Sequence, residues 1–241
     1  MISDIKLIDS NKKNIFVLSY AGGSSLSYLS WKSHFEKSIM IPLDYKGHGL
    51  RSDKKLDSNI FDMADDIAEQ IVAISSKKRF IIFGHSMGGL VGWYTMHILK
   101  NRYNILPEIL CISACKSPDS FKTKRQMITN ETLLSNYSLI GHANEHMVKS
   151  DYFKEKLLPV IKHDYQLMNN FIYEERLEKI SIPFYLFYGT MDTSIVYDEI
   201  QSWCSFTTSY YRSFSFDGGH FYFDDNKNRN KLCNILDHLC D

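Results

Sequence analysis

Residues 79–92, RFIIFGHSMGGLVG, constrain the fold of this chain more than any other stretch. Residues 80–83 are a short apolar run, which is typical of a buried strand. The next five residues, 84–88, match G-x-S-x-G, a motif that needs a strand before it and a helix after it. Apolar side chains then recur at helical spacing, namely Leu90, Val91, Trp93, Tyr94 and Ile98. Ser86 is therefore expected at a sharp strand-to-helix turn.

Such a turn would present the Ser86 hydroxyl as a candidate nucleophile. Gly84 and Gly88 lie where larger side chains would crowd the bend, and glycine also tolerates unusual dihedral angles. The alternative is a glycine-rich turn that carries an ordinary serine. The strand and helix that flank the motif favour the nucleophile.

Composition limits the class of protein. The chain has 241 residues, 44% of them apolar, which predicts one globular domain over 1–241. Its net charge of zero argues against nucleic acid held through phosphates. Residues 1–14 carry charges where a signal peptide needs an apolar core, and no run approaches the ~18 apolar residues of a membrane helix. The five cysteines show no CxxC, so we expect free thiols in a cytoplasmic monomer without membrane contact.

Strands and helices alternate along most of the chain. Strands are predicted at 15–18, 39–43, 80–83, 109–113, 183–188 and 210–216. An apolar helical stripe runs over 60–74 between the second and third strands. This alternation predicts an α/β fold with a mostly parallel sheet and helices on both faces.

A helix-rich insertion at about 116–179 interrupts the alternation. It is rich in Met, Tyr and Leu, and insertions at this edge of such sheets commonly form a lid over the site. The alternative is that its apolar residues simply pack on one another. We favour a mobile apolar lid.

Two further residues complete a candidate catalytic set. Asp192 follows the fifth predicted strand, and His220 follows the sixth after two glycines that let the loop bend inward. The order Ser86, Asp192, His220 is that of a hydrolase triad. The histidine would take the serine proton and the aspartate would orient the ring. Asp217 is the rival acid, but we favour Asp192 because Asp217 lies only three residues before His220.

A small-residue loop, 19–25, follows the first strand and is expected to help form an oxyanion hole. Two backbone N–H groups must point to where charge develops on the carbonyl oxygen. We assign them to Ala21, with Gly22 as second choice, and to Met87, the residue after the nucleophile. The alternative is a tight turn with no catalytic role.

Other polar residues receive weaker interpretations. His48 follows the second strand, where loop packing is favoured over catalysis, and His85 is expected to point away from the site. His142 to His146 match H-x-x-E-H, but no third ligand is evident and we expect no metal. A basic cluster, Lys122, Lys124 and Arg125, is a candidate docking patch for an acidic partner, the alternative being a solvated face.

Six segments in order carry a family resemblance: YAGGSSLSYLSW, DYKGHG, FGHSMGG, LPVIKHDYQL, YGTMD and FDGGHFYF. Together they resemble the type II thioesterases of nonribosomal peptide and polyketide synthesis, over nearly the whole chain. GHSMGG is widespread among hydrolases, whereas the AGG loop, the Leu-Pro-…-Asp segment and FDGGH are more specific. Lys46 replaces the usual proline before Gly-His-Gly, and 162–164 read Lys-His-Asp where Arg-Ala-Asp is commoner.

The resemblance implies a stand-alone α/β hydrolase without a cofactor of its own. Such an enzyme removes misprimed or stalled acyl and aminoacyl groups from the phosphopantetheine arm of carrier proteins, which are its transient partners. It implies Ser86, Asp192 and His220 as the triad and Ala21 and Met87 as the oxyanion donors. Two alternatives remain. One is a chain-releasing medium-chain acyl-carrier thioesterase or small-molecule esterase, and the other is a non-catalytic binding protein.

Overall fold

Six parallel strands form the sheet at the centre of the molecule. The computed structural model describes residues 12–75, 79–121, 128–139, 148–173 and 177–239. The strands are β1 (Lys13–Leu18), β2 (Ser38–Leu43), β3 (Phe80–His85), β4 (Ile109–Ser113), β5 (Phe184–Gly189) and β6 (Tyr211–Phe216). Their order is β2-β1-β3-β4-β5-β6 and every neighbouring pair is parallel. The predicted α/β sheet is confirmed.

The position of each strand in the sheet follows from its residues. β3 and β4 are buried along their whole length, as their unbroken apolar runs predict. β2 contains Pro42, which cannot donate a ladder hydrogen bond, and β2 lies at the sheet edge where this is tolerated.

Helices cover both faces of the sheet. They are α1 (Ile60–Ser75), α2 (Met87–Tyr103), α3 (Asn130–Leu139), α4 (Leu158–Asn170), α5 (Tyr197–Gln201) and α6 (Asn226–His238). Successive β3 side chains point to opposite faces, so Phe80 and Ile82 join the core under α1 and α2. Ile81 and Phe83 join a second core with residues of α6. The prediction of helices on both faces is confirmed.

Short 3₁₀ helices link several of these elements. They span Ser25–His34, Gly49–Arg51, Pro118–Ser120, Ser202–Phe206 and Tyr222–Asp224. The first of these follows β1 and the small-residue loop. Its Tyr28 and Trp31 are buried edge to face, with ring centroids 4.9 Å apart, so packing holds this segment in place.

The described part of the insertion is helical. It contains α3 and a π-helical turn, Phe153–Leu157, that runs directly into α4. Leu133, Phe153, Leu158 and Ile161 form a small core of their own, so these apolar residues do pack on one another. Leu167 of α4 joins the core under α1 and α2. The division into one domain with a mobile lid at 116–179 stays a prediction.

Two of the sequence-predicted groups lie outside the described residues. These are the basic cluster Lys122, Lys124 and Arg125 and the motif His142 to His146. Within the stretches that the structure does describe, no helix combines the length and apolarity needed to cross a bilayer.

Candidate active site

Ser86 lies at the sharp turn between β3 and α2 that the motif predicts. Its φ of 54° and ψ of −122° are unusual for a residue with a side chain. The Ser86 N–H donates to the Ser113 carbonyl at 2.7 Å, which ties the turn to β4. A Cβ on Gly84 would lie 2.1 Å from the Gly88 oxygen, and one on Gly88 would lie 2.3 Å from the Leu18 oxygen. Both glycines are therefore required by close backbone contacts, as expected.

Asp192 and His220 form a buried pair. His220 Nδ1 lies 2.7 Å from Asp192 Oδ2, and their side chains are 6% and 2% exposed. Burial alone would raise the pKa of Asp192, but the hydrogen bond from His220 and two donors from Ser194 more than offset it. The pKa of Asp192 is lowered, so this group stays a carboxylate that can orient the imidazole.

The competing acid, Asp217, does not meet the ring. Asp217 is exposed, and its backbone carbonyl accepts a hydrogen bond from Asn228 Nδ2 at 2.6 Å. The structure thus places Asp192, and not Asp217, against the His220 ring, and the catalytic role of the pair stays a prediction.

The loops that carry Asp192 and His220 are joined through backbone contacts. The Met191 N–H donates to the Gly218 carbonyl at 2.8 Å. Gly218 has a φ of +133°, and a Cβ on Gly189 would lie 2.2 Å from the Gly219 oxygen. The glycines before His220 thus let the two loops touch, which brings the carboxylate and the ring together.

Ser194 is a site residue that the sequence reasoning missed. Its N–H and hydroxyl both donate to Asp192 Oδ1, at 2.8 and 2.6 Å, while Oδ2 faces His220. Aspartate often accepts hydrogen bonds from the residue two positions later, so the Asp-x-Ser sequence was the available signal.

His85 lies beneath the candidate site. Its Nδ1 is 2.9 Å from Ser113 Oγ, which in turn lies 2.7 Å from the Tyr222 hydroxyl. The His85 ring centroid is 5.1 Å from that of His220. The Nδ1 atom of His85 is thus directed at β4, but its ring lies against the His220 imidazole, so His85 does not lie clear of the candidate site.

The candidate oxyanion donors lie at the ends of β1 and β3. Ala21 and Met87 are both buried. Met87 is the first residue of α2, where N–H groups have no carbonyl partner within the helix. Gly22, the second choice, donates its N–H to Asp164 Oδ2 at 2.7 Å. That hydrogen bond occupies the Gly22 donor and leaves Ala21 as our assignment.

His48 is a buried structural residue in this arrangement. Its Nε2 lies 2.8 Å from Asp164 Oδ2, and its Nδ1 lies 2.9 Å from the Lys46 carbonyl. Asp164, which the residue-by-residue reasoning did not single out, therefore meets both the small-residue loop and the loop after β2. The only signal for it was its place in the LPVIKHDYQL segment.

Lys46, which stands where the family usually has proline, has acidic neighbours. Its Nζ lies 3.0 Å from Asp57 Oδ1 and 3.3 Å from Asp66 Oδ1. The lysine that replaces the usual proline is thus paired with two nearby carboxylates. In the part of the chain that is described, no group of three His, Cys, Asp or Glu side chains is arranged to hold a metal ion.

The parallel sheet, the sharp turn at Ser86 and the loops that carry Asp192 and His220 define an α/β-hydrolase fold. The chain belongs to the thioesterase domain family, which it matches over residues 13–240. The resemblance seen in the sequence is confirmed.

Individual relatives agree with this family. The chain is 24% identical over 229 residues to thioesterase PikA5 of Streptomyces venezuelae, covering 92% of this chain and 79% of that protein. It is 24% identical over 225 residues to the medium-chain S-acyl fatty acid synthase thioesterase of Rattus norvegicus, covering 90% and 84%. The solved structure of YbtT, a type II thioesterase from the yersiniabactin pathway, superposes with a TM-score of 0.83 at 20% identity, covering 95% and 94%.

Proposed function

We propose that this protein hydrolyses acyl and aminoacyl thioesters held on the phosphopantetheine arm of carrier proteins. In this role it removes misprimed or stalled groups during nonribosomal peptide or polyketide synthesis. The thioesterase family and the likeness to YbtT support the reaction class and the pathway type. The observation that carries the chemistry is the 2.7 Å contact of His220 Nδ1 with Asp192, together with the strained turn at Ser86, whose neighbour His85 has its ring 5.1 Å from that of His220.

The proposed acylation step begins at Ser86. Because His220 Nδ1 faces the carboxylate, its Nε2 is the nitrogen that accepts the proton from the serine hydroxyl. The serine oxygen attacks the thioester carbon and forms a C–O bond, and the Ala21 and Met87 N–H groups receive the oxyanion. The C–S bond then breaks, and His220 returns its proton to the departing sulfur.

Deacylation uses the same groups with water as the nucleophile. His220 accepts a proton from water, and the resulting hydroxide attacks the acyl-serine carbon. The Ser86 oxygen leaves with that proton and the free acid is released. Asp192 stabilises the imidazolium in both steps.

A second candidate is a chain-releasing thioesterase for medium-length acyl groups, with the same residues. The rat relative is named as a medium-chain fatty acid synthase thioesterase and matches most of this chain. The two candidates differ in acyl length. A hydrolysis panel of acetyl, aminoacyl, octanoyl and decanoyl groups, each on carrier protein and on free pantetheine, separates them. A kcat/KM that rises steadily to decanoyl would favour the second candidate.

The triad itself is tested by removing the nucleophile. We expect Ser86→Ala to lower kcat by more than about 10⁴-fold, because a methyl group cannot attack the thioester. Circular dichroism and the unfolding midpoint check that the variant folds. Fluorophosphonate should label the wild type and not the variant. Near-normal hydrolysis by folded Ser86→Ala would overturn the proposed mechanism, and an unlabelled, inactive wild type would favour a non-catalytic binding protein.

Carrier recognition is the second part of the proposal. We expect a higher kcat/KM for acetyl-carrier than for acetyl-coenzyme A, because remote contacts help to position the thioester. Lys122, Lys124 and Arg125 are proposed to speed the encounter with an acidic carrier, an effect that weakens with salt. Equal kcat/KM on both substrates would refute carrier recognition. A preference that survives both high salt and the triple alanine variant would place docking elsewhere.

A further inference from the structure

Asp164 connects the insertion to two loops of the sheet edge. It lies on α4 and is completely buried. One oxygen, Oδ2, accepts the Gly22 N–H at 2.7 Å and lies 2.8 Å from His48 Nε2. Gly22 is the neighbour of Ala21, the proposed oxyanion donor. A single carboxylate oxygen thus joins the insertion, the loop after β2 and the candidate oxyanion loop.

Packing beside this oxygen leaves the oxyanion loop no space to shift towards α4. Gly22 has a φ of +74°, and a Cβ there would lie 2.2 Å from Ile161 Cγ1. Ile161 is one helical turn before Asp164 and is buried. The Gly22 backbone therefore lies directly against α4, held by contact and by the hydrogen bond to Asp164.

The His48 ring is itself fixed by its neighbours. Its Nδ1 lies 2.9 Å from the Lys46 carbonyl, and its ring meets Tyr45 edge to face with centroids 5.4 Å apart. The Tyr45 hydroxyl donates to the Ser19 carbonyl at 2.8 Å. The same small group of residues therefore holds both Ser19 and Gly22, the two sides of the loop that contains Ala21.

Electrostatics show that Asp164 is held as a charged group. Burial alone would raise the pKa of Asp164, but hydrogen bonds from His163, His48 and Gly22 more than offset it, so the pKa is lowered. Burial alone would lower the pKa of His48, but Asp164 raises it. Keeping a buried charge costs desolvation energy that an apolar pair would avoid, so such pairs add little net stability. What this pair does show is a fixed contact between α4, Gly22 and His48.

We propose that Asp164 is a positioning residue for the reaction. Its carboxylate fixes the Gly22 N–H within the turn that the Gly23 N–H closes on the Tyr20 carbonyl at 2.9 Å. That carbonyl belongs to the same peptide unit as the Ala21 N–H, so fixing the turn sets the direction of the Ala21 N–H towards the acyl oxygen. Because Asp164 belongs to α4, the oxyanion loop is oriented only when this helix of the insertion is seated. This role rests on the proposed thioester hydrolysis.

The test compares Asp164→Ala with Asp164→Asn, whose amide oxygen can still accept the Gly22 N–H. The matched control is Asp237→Asn, another buried carboxylate that accepts backbone N–H groups, from Glu36 to Ser38. The readouts are kcat and KM on acetyl-pantetheine and the Kd of n-butylboronic acid. The boronate adduct on Ser86 would place an oxygen in the oxyanion hole. Unfolding midpoints monitor the folded fraction.

We expect Asp164→Ala to lower kcat by about 10²–10³-fold with KM nearly unchanged, as for loss of one oxyanion donor. Boronate affinity should fall in parallel. Asp164→Asn should recover at least about tenfold of the loss, and Asp237→Asn should keep the wild-type kcat. Wild-type kcat and boronate affinity in folded Asp164→Ala would overturn the proposal, as would an equal loss in Asp237→Asn. If Asp164→Ala does not fold, His48→Leu replaces it, because leucine cannot donate a hydrogen bond to Asp164 Oδ2. A drop in kcat and boronate affinity is then expected, and unchanged values would overturn the proposal.

Failure of the proposed function gives a different result. A wild type that neither hydrolyses thioesters nor binds boronate removes the hydrolase assignment. Hydrogen exchange at the Gly22 amide then tests the positioning contact alone. Exchange at least about tenfold faster in Asp164→Ala, or in His48→Leu where that replaces it, supports the contact, and unchanged exchange overturns it.

Discussion

At the scale of single residues, the environment of Asp192 decides which carboxylate serves His220. Asp192 has one oxygen on His220 and the other on the Ser194 donors, and both side chains of the pair are buried. Asp217 is nearer in sequence but is exposed. Closeness in sequence therefore does not identify the acid, because Asp192 reaches the His220 ring from a different loop.

We predict that Asp192→Asn loses about 10⁴-fold in kcat, because the amide favours the wrong imidazole tautomer. Asp217→Asn, with its exposed side chain, should stay within about twofold of wild type. Steady-state kinetics on acetyl-pantetheine measure both. The opposite ranking of the two variants would show that the wrong carboxylate has been assigned.

At the scale of elements, the β3–α2 connection is held by backbone contacts rather than side chains. The turn between β3 and α2 places the start of α2 against the end of β1. Gly88 lies where these two segments of the chain meet. Gly92 is one turn further along α2, where the three atoms nearest to a Cβ would be side-chain carbons of Ile82, Leu18 and Leu110, at 3.2, 3.4 and 3.5 Å. The two glycines occupy one helix under different constraints.

We predict that Gly88→Ala lowers the free energy of unfolding by more than about 3 kcal/mol, since its Cβ would overlap the Leu18 carbonyl oxygen. Gly92→Ala, the matched control, should change it by no more than about 1 kcal/mol, because alanine favours the helix and Ile82 can adjust. Urea unfolding gives both values. Similar losses in the two variants would contradict the assigned backbone contact.

At the scale of the whole molecule, Asp237 joins the C-terminal helix α6 to the start of β2. Its carboxylate accepts the N–H groups of Glu36, Lys37 and Ser38 and the Ser38 hydroxyl at 2.6 Å. Burial alone would raise the pKa of Asp237, but these donors more than offset it and the pKa is lowered. A contact spanning 199 residues of sequence therefore depends on one ionised group.

We predict that Asp237→Asn lowers the free energy of unfolding by about 1–3 kcal/mol at pH 7, because its amide cannot accept all these bonds. A carboxyl group whose pKa is lower in the folded state than in the unfolded state stabilises the fold at pH values above its unfolded-state pKa of about 3.9. This stabilisation is lost as the pH falls through the folded-state pKa. The wild type and the variant should therefore converge in stability below about pH 4.

Urea unfolding between pH 3 and 7 measures that convergence. Asp225→Asn is the control on the same helix, because Asp225 caps the N-terminus of α6 and asparagine caps equally well. A constant gap between Asp237→Asn and wild type across this pH range would refute the ionic explanation.

The sequence by itself determined the elements whose signals are local. The apolar runs, the 60–74 stripe and the G-x-S-x-G turn predict the strands, α1 and the position of Ser86, because period and glycine placement depend only on neighbouring residues. The order Ser86, Asp192, His220 followed from strand ends that share one sheet edge. The six motifs in their order also carried the resemblance to the thioesterase family.

Only the tertiary structure decided the contacts between distant segments. The Asp164 carboxylate meets Gly22 across 142 residues, and Asp237 meets Ser38 across 199. No local pattern encodes such pairs, because each depends on how helices settle on the sheet. For the same reason, the sequence alone left the Gly22 N–H as a second-choice oxyanion donor. In the folded chain this N–H donates to Asp164 instead. Buried hydrogen-bond partners are a property of packing, and packing is absent from a one-dimensional pattern.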